Sequence, residues 1–251
     1  MPNELQKTDL DRFTEQDGYK IFHGNKQEFE ALWDEIMVRG ESEIELSSVQ
    51  PLIIEVGANI GISTLYFRRK YPNSKIIAIE PSPTSAVRFR KNVEANNLTD
   101  IEFIEAAVGN EETELDLYVD TYEEDPWSWG DSVVPAIWGG EPTPIKVKSV
   151  KLSEIIKRQE GEIDLLQIDI EGSELVVLKE CRDYLPKVKN ILLEYHCTPT
   201  NPTNSFGETM AILKKAGFEI GFYEGRIELG ESAVNALQKK KKWNVIVKGI
   251  H

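Results

Sequence analysis

The chain has 251 residues, of which 40% are hydrophobic, and a formal net charge of −14. This length suits one large α/β domain, and the negative charge argues against a nucleic-acid partner because phosphate binding needs a basic face. There is no signal-peptide pattern at the N-terminus and no apolar run of the ~20 residues that a membrane span needs. Cys181 and Cys197 have neither metal nor redox spacing, so we expect a cytoplasmic protein without a membrane partner.

Hydrophobic periodicity divides the chain into alternating strands and helices. Residues 27–38 have helical spacing and predict a helical cap over residues 1–45, ahead of a main domain over residues 46–251. The strands predicted in that domain are 52–56, 75–80, 101–106, 114–119, 145–150, 164–169, 188–195, 217–224 and 243–249. The helices predicted there are 62–70, 83–96, 172–181 and 231–238. This alternation is typical of parallel βαβ units, to which 114–119 and 145–150 add an antiparallel pair.

The turn after the first strand of this domain reads Glu55-Val-Gly57-Ala-Asn59-Ile-Gly61. Strand, tight turn and helix in this order hold the adenosine end of a cofactor in open α/β sheets. In the dinucleotide fingerprint the second and third glycines would stand at Asn59 and Ile62, which disfavours NAD. A phosphate-free cofactor such as S-adenosylmethionine does not need that close backbone approach, and Glu55 could receive its ammonium group.

The strand 75–80 ends in a second acid, Glu80, followed by Pro81. A carboxylate at this place accepts hydrogen bonds from both hydroxyls of a ribose. Proline cannot continue the strand as a donor and marks the turn. Glu80 is therefore predicted to hold the ribose, with an exposed strand-end charge as the alternative.

Residues 120–144 form a long loop rich in Pro, Gly and Trp, inserted in the main domain. Long loops in compact domains often bind ligands. Trp127, Trp129 and Trp138 are therefore candidates for binding the substrate. The alternative is that these rings only attach the loop to the core.

A second group of acids follows the strand 164–169. Asp169 and Glu171 are two residues apart and would face the same side of an extended strand, and Ser173 is a predicted N-cap of the next helix. Carboxyl ends of parallel strands meet at one edge, so Asp169 is expected near Glu55 and Glu80. Two such carboxylates could bind a divalent metal, but no His/Cys ligand set supports one, and no metal site is predicted.

The strand 188–195 carries Glu194 and is followed by His196, two residues further on. Both side chains are expected on one face at the same edge of the sheet. An imidazole with a pKa near 6.5 can take a proton from an acceptor, and Asp169 and Glu171 are the alternative bases. A lone histidine can equally be structural.

These motifs together resemble the FkbM family of S-adenosylmethionine-dependent methyltransferases. The matching segments are Glu55-x-Gly-Ala-Asn-x-Gly61, Glu80-Pro-Ser, Ala107-Val-Gly109, Asp169-x-Glu-Gly172 and Glu194-Tyr-His196. The resemblance covers about residues 50–250 and departs at Glu55, where the family commonly has aspartate. It implies the class I methyltransferase fold, which is α/β and Rossmann-like: a seven-stranded, mostly parallel sheet with an antiparallel last strand and helices on both faces.

The resemblance also implies roles for individual residues. The cofactor site would comprise Glu55, Gly57, Asn59, Gly61 and Thr64 at the methionine end, Glu80 and Ser82 at the ribose, Ala107 and Val108 at the adenine, and Asp169 next to the acceptor. The catalytic candidates are His196, oriented by Glu194, with Asp169 and Glu171. Family members mostly methylate hydroxyls of sugars, polyketides and other secondary metabolites, and some modify peptide nitrogens. A small-molecule hydroxyl acceptor is therefore favoured over a peptide or amine, and over a non-catalytic nucleotide-binding scaffold.

Overall fold

The computed structural model describes residues 12–119 and 128–251. Its strands are β1 (Phe13–Gln16), β2 (Tyr19–Phe22), β3 (Leu52–Val56), β4 (Lys75–Ile79), β5 (Ile101–Ile104), β6 (Ala107–Gly109), β7 (Glu114–Val119), β8 (Thr143–Lys151), β9 (Leu165–Ile168), β10 (Asn190–Cys197), β11 (Glu219–Glu224), β12 (Ile227–Glu228) and β13 (Trp243–Ile250). Its α-helices are α1 (Lys26–Trp33), α2 (Ile62–Lys70), α3 (Pro83–Ala95), α4 (Leu152–Lys157), α5 (Glu174–Cys181), α6 (Phe206–Ala216) and α7 (Glu231–Leu237). A π-helical turn (Asp34–Val38) continues α1, and a 3-10 segment (Arg182–Lys187) continues α5.

The main sheet has the strand order β12-β11-β13-β10-β9-β3-β4-β5 within the described residues. The pairs from β10 to β5 are parallel, whereas β13 is antiparallel to both of its neighbours. The predicted α/β fold with an antiparallel last strand is confirmed, and the two-residue β12 extends the predicted seven strands at one edge. The order reverses between β3 and β9, which opens a crevice at the carboxyl ends of these strands.

Helices cover both faces of the sheet because its central strands carry apolar side chains on both sides, and successive side chains point to opposite faces. On one face Ile54 and Val56 join a core with residues of α4, α5 and α6. On the other face Ile53 packs with Phe67 of α2 and Phe89 of α3. Position 55 shares the face of Ile53 and therefore points toward α2.

The region that follows β5 differs in part from the sequence-based assignment. The predicted strand 101–106 ends at Ile104, and Ala107 begins a separate strand, β6, that pairs with β8 in a three-stranded sheet. The predicted antiparallel pairing of β7 with β8 is confirmed. The helix α6 was not predicted, although Ser205 caps it by accepting a hydrogen bond from the backbone N–H of Glu208.

The N-terminal segment contains the predicted helix α1, and the hairpin β1–β2 precedes it. Phe29 and Trp33 of α1 pack against Ile60, Ile62 and Leu65, next to the glycine turn. This packing places the segment over the crevice of the main sheet. Among residues 12–119 and 128–251, no helix combines the length and the apolar character that crossing a bilayer requires.

Candidate active site

A cavity of about 510 Å³ lies at the carboxyl ends of the central strands. Its volume is within the ~300–1,000 Å³ of small-molecule sites. The glycine turn, the residues after β4, the start of β6 and the residues after β9 form one side. The end of β10, the start of the antiparallel strand β13, the loop before β8 and the N-terminal segment form the other.

The glycine turn lies directly against the loop after β9. Gly57 has φ +90°, and a Cβ atom there would lie 1.7 Å from the backbone oxygen of Asp169. The backbone N–H groups of Gly57 and Ala58 both donate to the carbonyl of Ile79, at 2.9 and 3.0 Å. Only glycine fits this approach, so Gly57 fixes the distance between the two halves of the cavity floor.

Glu80 supports the turn from the end of β4. Its Oε2 accepts the backbone N–H of Asn59 at 2.9 Å, and its Oε1 accepts that of Ser82 at 2.8 Å. Each carboxylate oxygen has a second lone pair for another donor. Burial raises the pKa of Glu80 to about 7, although both backbone donors lower it. Ala107 and Val108 line the same end of the cavity.

His196 is the centre of the opposite end of the cavity. Its side chain is 2% exposed, and Nε2 faces three carboxylates: Glu194 Oε1 at 3.4 Å, Glu171 Oε2 at 3.6 Å and Asp169 Oδ1 at 3.9 Å. The predicted proximity of Glu194 to His196 is therefore present. Asp169 and Glu171 also converge on the ring, but through a turn and not along an extended strand, since Glu171 has φ +50°.

A buried carboxylate that the sequence reading missed orients the imidazole. Glu174 stands at the start of α5, and its Oε1 lies 2.8 Å from His196 Nδ1. The same carboxylate accepts the backbone N–H of Gly172 at 2.8 Å and Asn204 Nδ2 at 2.5 Å. The orienting role predicted for Glu194 therefore belongs to Glu174. Ser173 makes no capping hydrogen bond at the start of α5, contrary to prediction, and its hydroxyl donates to Ile170 instead.

Four carboxylates around one ring determine its charge state. Burial opposes protonation of His196, but Glu171, Glu174 and Glu194 outweigh it and raise its pKa well above the usual value. Burial, the charge of Glu194 and that of Glu171 raise the pKa of Asp169. These carboxylates therefore favour the protonated imidazole as long as no other cation lies between them and the ring.

Tryptophans from the insertion contact the acidic end of the cavity. Trp138 Nε1 donates to Glu171 Oε2 at 2.7 Å, and its ring meets His196 edge-on at 5.8 Å between centroids. Trp129 also lines the cavity. Trp127, the third predicted substrate residue, lies outside the described residues.

A buried side chain of the N-terminal segment holds the insertion. Glu28 Oε1 accepts the backbone N–H groups of Ser128 at 2.5 Å and Trp129 at 2.6 Å, and the Ser128 hydroxyl at 3.1 Å. The N-terminal segment also adds charge to the wall of the cavity. Arg39 is paired with Glu35 at 2.9 Å and with Glu41 at 3.2 Å, and all three line the cavity.

The family of the chain follows from comparison with known proteins. A model of the methyltransferase FkbM domain matches residues 55–220, about two thirds of the chain. The chain belongs to the FkbM methyltransferase family. The family match includes the glycine turn, Glu80, and every carboxylate that surrounds His196.

Several named relatives are similar in sequence to this FkbM methyltransferase, at low identity. Methyltransferase sdnD of Sordaria araneosa is 27% identical over 85% of this chain and 91% of its own length. The 31-O-demethyl-FK506 methyltransferase FkbM of Streptomyces tacrolimicus is 25% identical over 81% of this chain and 86% of its own. The 2-O-methyltransferase NoeI of Sinorhizobium fredii is 25% identical over 60% of this chain and 65% of its own length.

A solved structure supports the fold. The methyltransferase FkbM of Methylobacillus flagellatus superposes with a TM-score of 0.54 at 14% identity, over 86% of this chain and 47% of that one. The two proteins therefore share the class I methyltransferase architecture.

The predicted site residues divide into those that line the cavity and those that support it. Gly57, Asn59, Glu80, Ala107, Val108, Asp169, Glu171, Glu194, His196, Trp129 and Trp138 line it. Glu55, Gly61, Thr64 and Ser82 do not. Glu55 is 0% exposed and accepts a hydrogen bond from the hydroxyl of Thr64 at 2.6 Å. Its carboxylate therefore holds the start of α2 and does not contact a ligand. The expectation that Glu55 binds an ammonium group directly is therefore not supported by its position.

Proposed function

We propose that the protein transfers a methyl group from S-adenosylmethionine to a hydroxyl of a small molecule. The observation that carries this proposal is one cavity with two polar ends, Glu80 at one and the carboxylates around His196 at the other. A hydroxyl acceptor fits the names of NoeI, a 2-O-methyltransferase, and of the S. tacrolimicus relative, a 31-O-demethyl-FK506 methyltransferase. A secondary metabolite or a sugar is the acceptor class that the family resemblance implies. The acidic wall of the cavity favours a small molecule over a nucleic acid.

The adenosine end would be held by the first two βα turns. Glu80 would accept hydrogen bonds from the ribose hydroxyls with the lone pairs that Asn59 and Ser82 leave available. Ala107 and Val108 would contact the adenine, because both are apolar and line the cavity beyond β4. Gly57 and Asn59 would lie along the methionine portion, which runs toward Asp169.

At the other end, the protein would align the acceptor and remove its proton. The acceptor oxygen attacks the sulfonium methyl carbon, the O–CH3 bond forms as the S–CH3 bond breaks, and the bonding electron pair stays on sulfur. Charge disappears in this step, so alignment and exclusion of water are the main contributions of the protein. Glu194, on the cavity wall beside His196, is the carboxylate that we assign as the proton acceptor.

An amine acceptor is the second candidate, and the charge of the cavity favours it. Glu35, Glu41, Glu171, Glu194 and Glu224 all line the cavity, with Arg39 as a cation among them. Such a wall attracts a protonated amine. The amine must lose that proton before it can attack, and the same carboxylates would oppose the loss. We therefore rank the hydroxyl acceptor first.

Calorimetry and an acceptor assay test the proposal together. The purified chain is expected to bind S-adenosylmethionine and S-adenosylhomocysteine but not NAD, and Glu80→Ala is expected to weaken both at least about tenfold through the lost charge-assisted hydrogen bonds. Release of S-adenosylhomocysteine is then measured with paired hydroxyl and amine analogues of the same compounds. Binding of NAD alone contradicts the cofactor assignment, and cofactor binding without turnover on any acceptor supports a non-catalytic scaffold.

The affinity for S-adenosylmethionine should increase with pH because Glu80 must be ionised to accept the ribose hydroxyls. With its pKa raised by burial to about 7, this carboxyl is mostly protonated at pH 6 and mostly ionised at pH 8. If only the ionised form binds, the affinity rises about tenfold between these values. Calorimetry at pH 6, 7 and 8 measures the change.

Glu80→Gln is the matched control for this pH dependence. It keeps the shape of the side chain and removes its titration. We expect a weaker affinity that is flat between pH 6 and pH 8. The same slope in this variant and in the unmodified chain would assign the titration to another group, of which Glu55 is the first to test, because burial raises its pKa to about 7 as well.

A further inference from the structure

Three potential metal-binding atoms converge at the acceptor end of the cavity. Nε2 of His196 and one carboxylate oxygen each from Asp169 and Glu171 lie within 4.8 Å of one another. The Nε2 distances to Asp169 Oδ1 and Glu171 Oε2 are 3.9 and 3.6 Å. Donors bound to one octahedral cation at ~2.1 Å lie roughly 3 Å apart in adjacent positions and roughly 4.2 Å apart in opposite positions. The observed distances fall between these limits.

Two of these atoms are held without a hydrogen bond of normal length. Asp169 Oδ1 is buried and has no hydrogen-bond partner, although the whole side chain is 37% exposed. The side chain of His196 is 98% buried, yet the nearest carboxylate oxygen to Nε2 is 3.4 Å away. A buried carboxylate oxygen without a partner is costly. A cation between these groups would satisfy both.

The orientation of the imidazole also fits a metal ligand. Glu174 holds Nδ1 at 2.8 Å, which directs Nε2 into the cavity. Glu174 is itself fixed by Gly172 and Asn204. A carboxylate on the far nitrogen of a histidine is the usual support of a metal-binding imidazole. Trp138 supports Glu171 in the same way, by donating to Oε2 at 2.7 Å.

We propose that Asp169, Glu171 and His196 bind one divalent cation of the Mg²⁺ or Mn²⁺ type, which also binds the acceptor oxygen. Two carboxylates and one imidazole leave coordination positions for water and for the acceptor, as these cations prefer. This inference rests on the proposed function and reverses the sequence-based expectation of no metal. That expectation followed from the lack of a His/Cys ligand set, which the fold replaces with one histidine and two acids.

The cation would activate the acceptor for the proposed reaction. A hydroxyl bound to a divalent cation loses its proton more easily, and the cation stabilises the alkoxide that attacks the methyl carbon. Glu194 lies next to this group without belonging to it and accepts the proton. The methyl group moves from sulfur to oxygen, and the metal keeps its oxidation state.

Binding of Mn²⁺ alone to the 251-residue chain tests the site without any acceptor. After chelator treatment, the loss of the free-ion signal in electron paramagnetic resonance reports bound Mn²⁺. We expect one ion per chain. Asp169→Asn removes a ligand charge and should weaken binding at least about 100-fold, while Glu174→Gln should weaken it about 10–100-fold by releasing the imidazole.

Glu41→Gln is the matched control, because Glu41 lines the same cavity but is not part of the group. Removal of the Glu41 charge should change the Mn²⁺ affinity by no more than about threefold, since a charge without direct contact to the ion acts through a high effective dielectric. Equal losses in Asp169→Asn and Glu41→Gln, or no binding to the unmodified chain up to about 1 mM Mn²⁺, would overturn the site.

Parallel measurements separate this inference from the proposed function. Mn²⁺ binding with the expected variant pattern, but without methyl transfer to any acceptor, supports the metal site and contradicts the proposed function. Methyl transfer that persists at full rate in excess chelator, with no Mn²⁺ bound, supports the function and overturns the metal site.

Discussion

His196→Ala should lower turnover at least about 100-fold and leave the affinity for S-adenosylmethionine within about threefold, since loss of a residue that positions the groups around the acceptor can cost about 10²-fold. The ring is the group on which Asp169, Glu171 and Glu194 converge, at 3.9, 3.6 and 3.4 Å. Without it the carboxylates repel one another and neither hold nor deprotonate the acceptor. Glu80, at the other end of the cavity, makes no contact with this group and keeps its backbone partners.

Two further measurements support this interpretation. Glu174→Gln keeps the shape of the buried side chain but removes the charge that orients Nδ1, so an intermediate loss of about 10–100-fold is expected. Thermal unfolding of both variants shows whether the buried site tolerates the change. Turnover of His196→Ala equal to that of the unmodified chain, in a folded protein, would remove His196 from the mechanism.

Gly57→Ala should abolish binding of S-adenosylmethionine and lower the free energy of unfolding by about 2–5 kcal/mol. Left-handed backbone costs a non-glycine residue roughly 1–2 kcal/mol, and overpacking adds about 1–3 kcal/mol. The clash here is with backbone, because the new Cβ would lie 1.7 Å from the carbonyl oxygen of Asp169. The turn must move away from β9, and the cavity floor separates. Urea unfolding and calorimetry measure the two effects.

Gly18→Ala isolates the contribution of the backbone angle. Gly18 has φ +84° in the β1–β2 turn, and no atom lies within 4 Å of its Cβ position. This variant should lose only about 1–2 kcal/mol and bind the cofactor normally. If Gly57→Ala were no more destabilised than Gly18→Ala, the close approach to Asp169 would not limit the fold.

Local patterns were sufficient to predict the cofactor half of the domain. The apolar run before Gly57 and the Glu80-Pro81 step predicted β3, α2 and β4 within one residue at each end, because turn, strand and helix signals there agree. The carboxyl-edge rule also brought Asp169, Glu194 and His196 into one site. These features depend on neighbours in sequence and on one general property of parallel sheets.

Other features depend on contacts between distant segments. Glu55 was assigned to a ligand because it precedes the glycine turn, but strand alternation turns it toward α2 and Thr64. Glu174 belongs to a helix start in sequence and to the imidazole of His196 in space. Glu35 and Glu41 line the cavity only because α1 packs on the glycine turn. The helical period in residues 27–38 does not indicate this packing.

The contact of Glu28 with the insertion has a consequence for how acceptor choice can change within the family. Glu28 joins α1 to Ser128 and Trp129, about 100 residues away, and it lies outside the matched family segment 55–220. The part of the wall that meets the acceptor is thus divided between two segments. Because Glu28 accepts backbone N–H groups, a foreign loop keeps this tether when its backbone follows the same path, whereas a foreign N-terminal segment without the glutamate loses it.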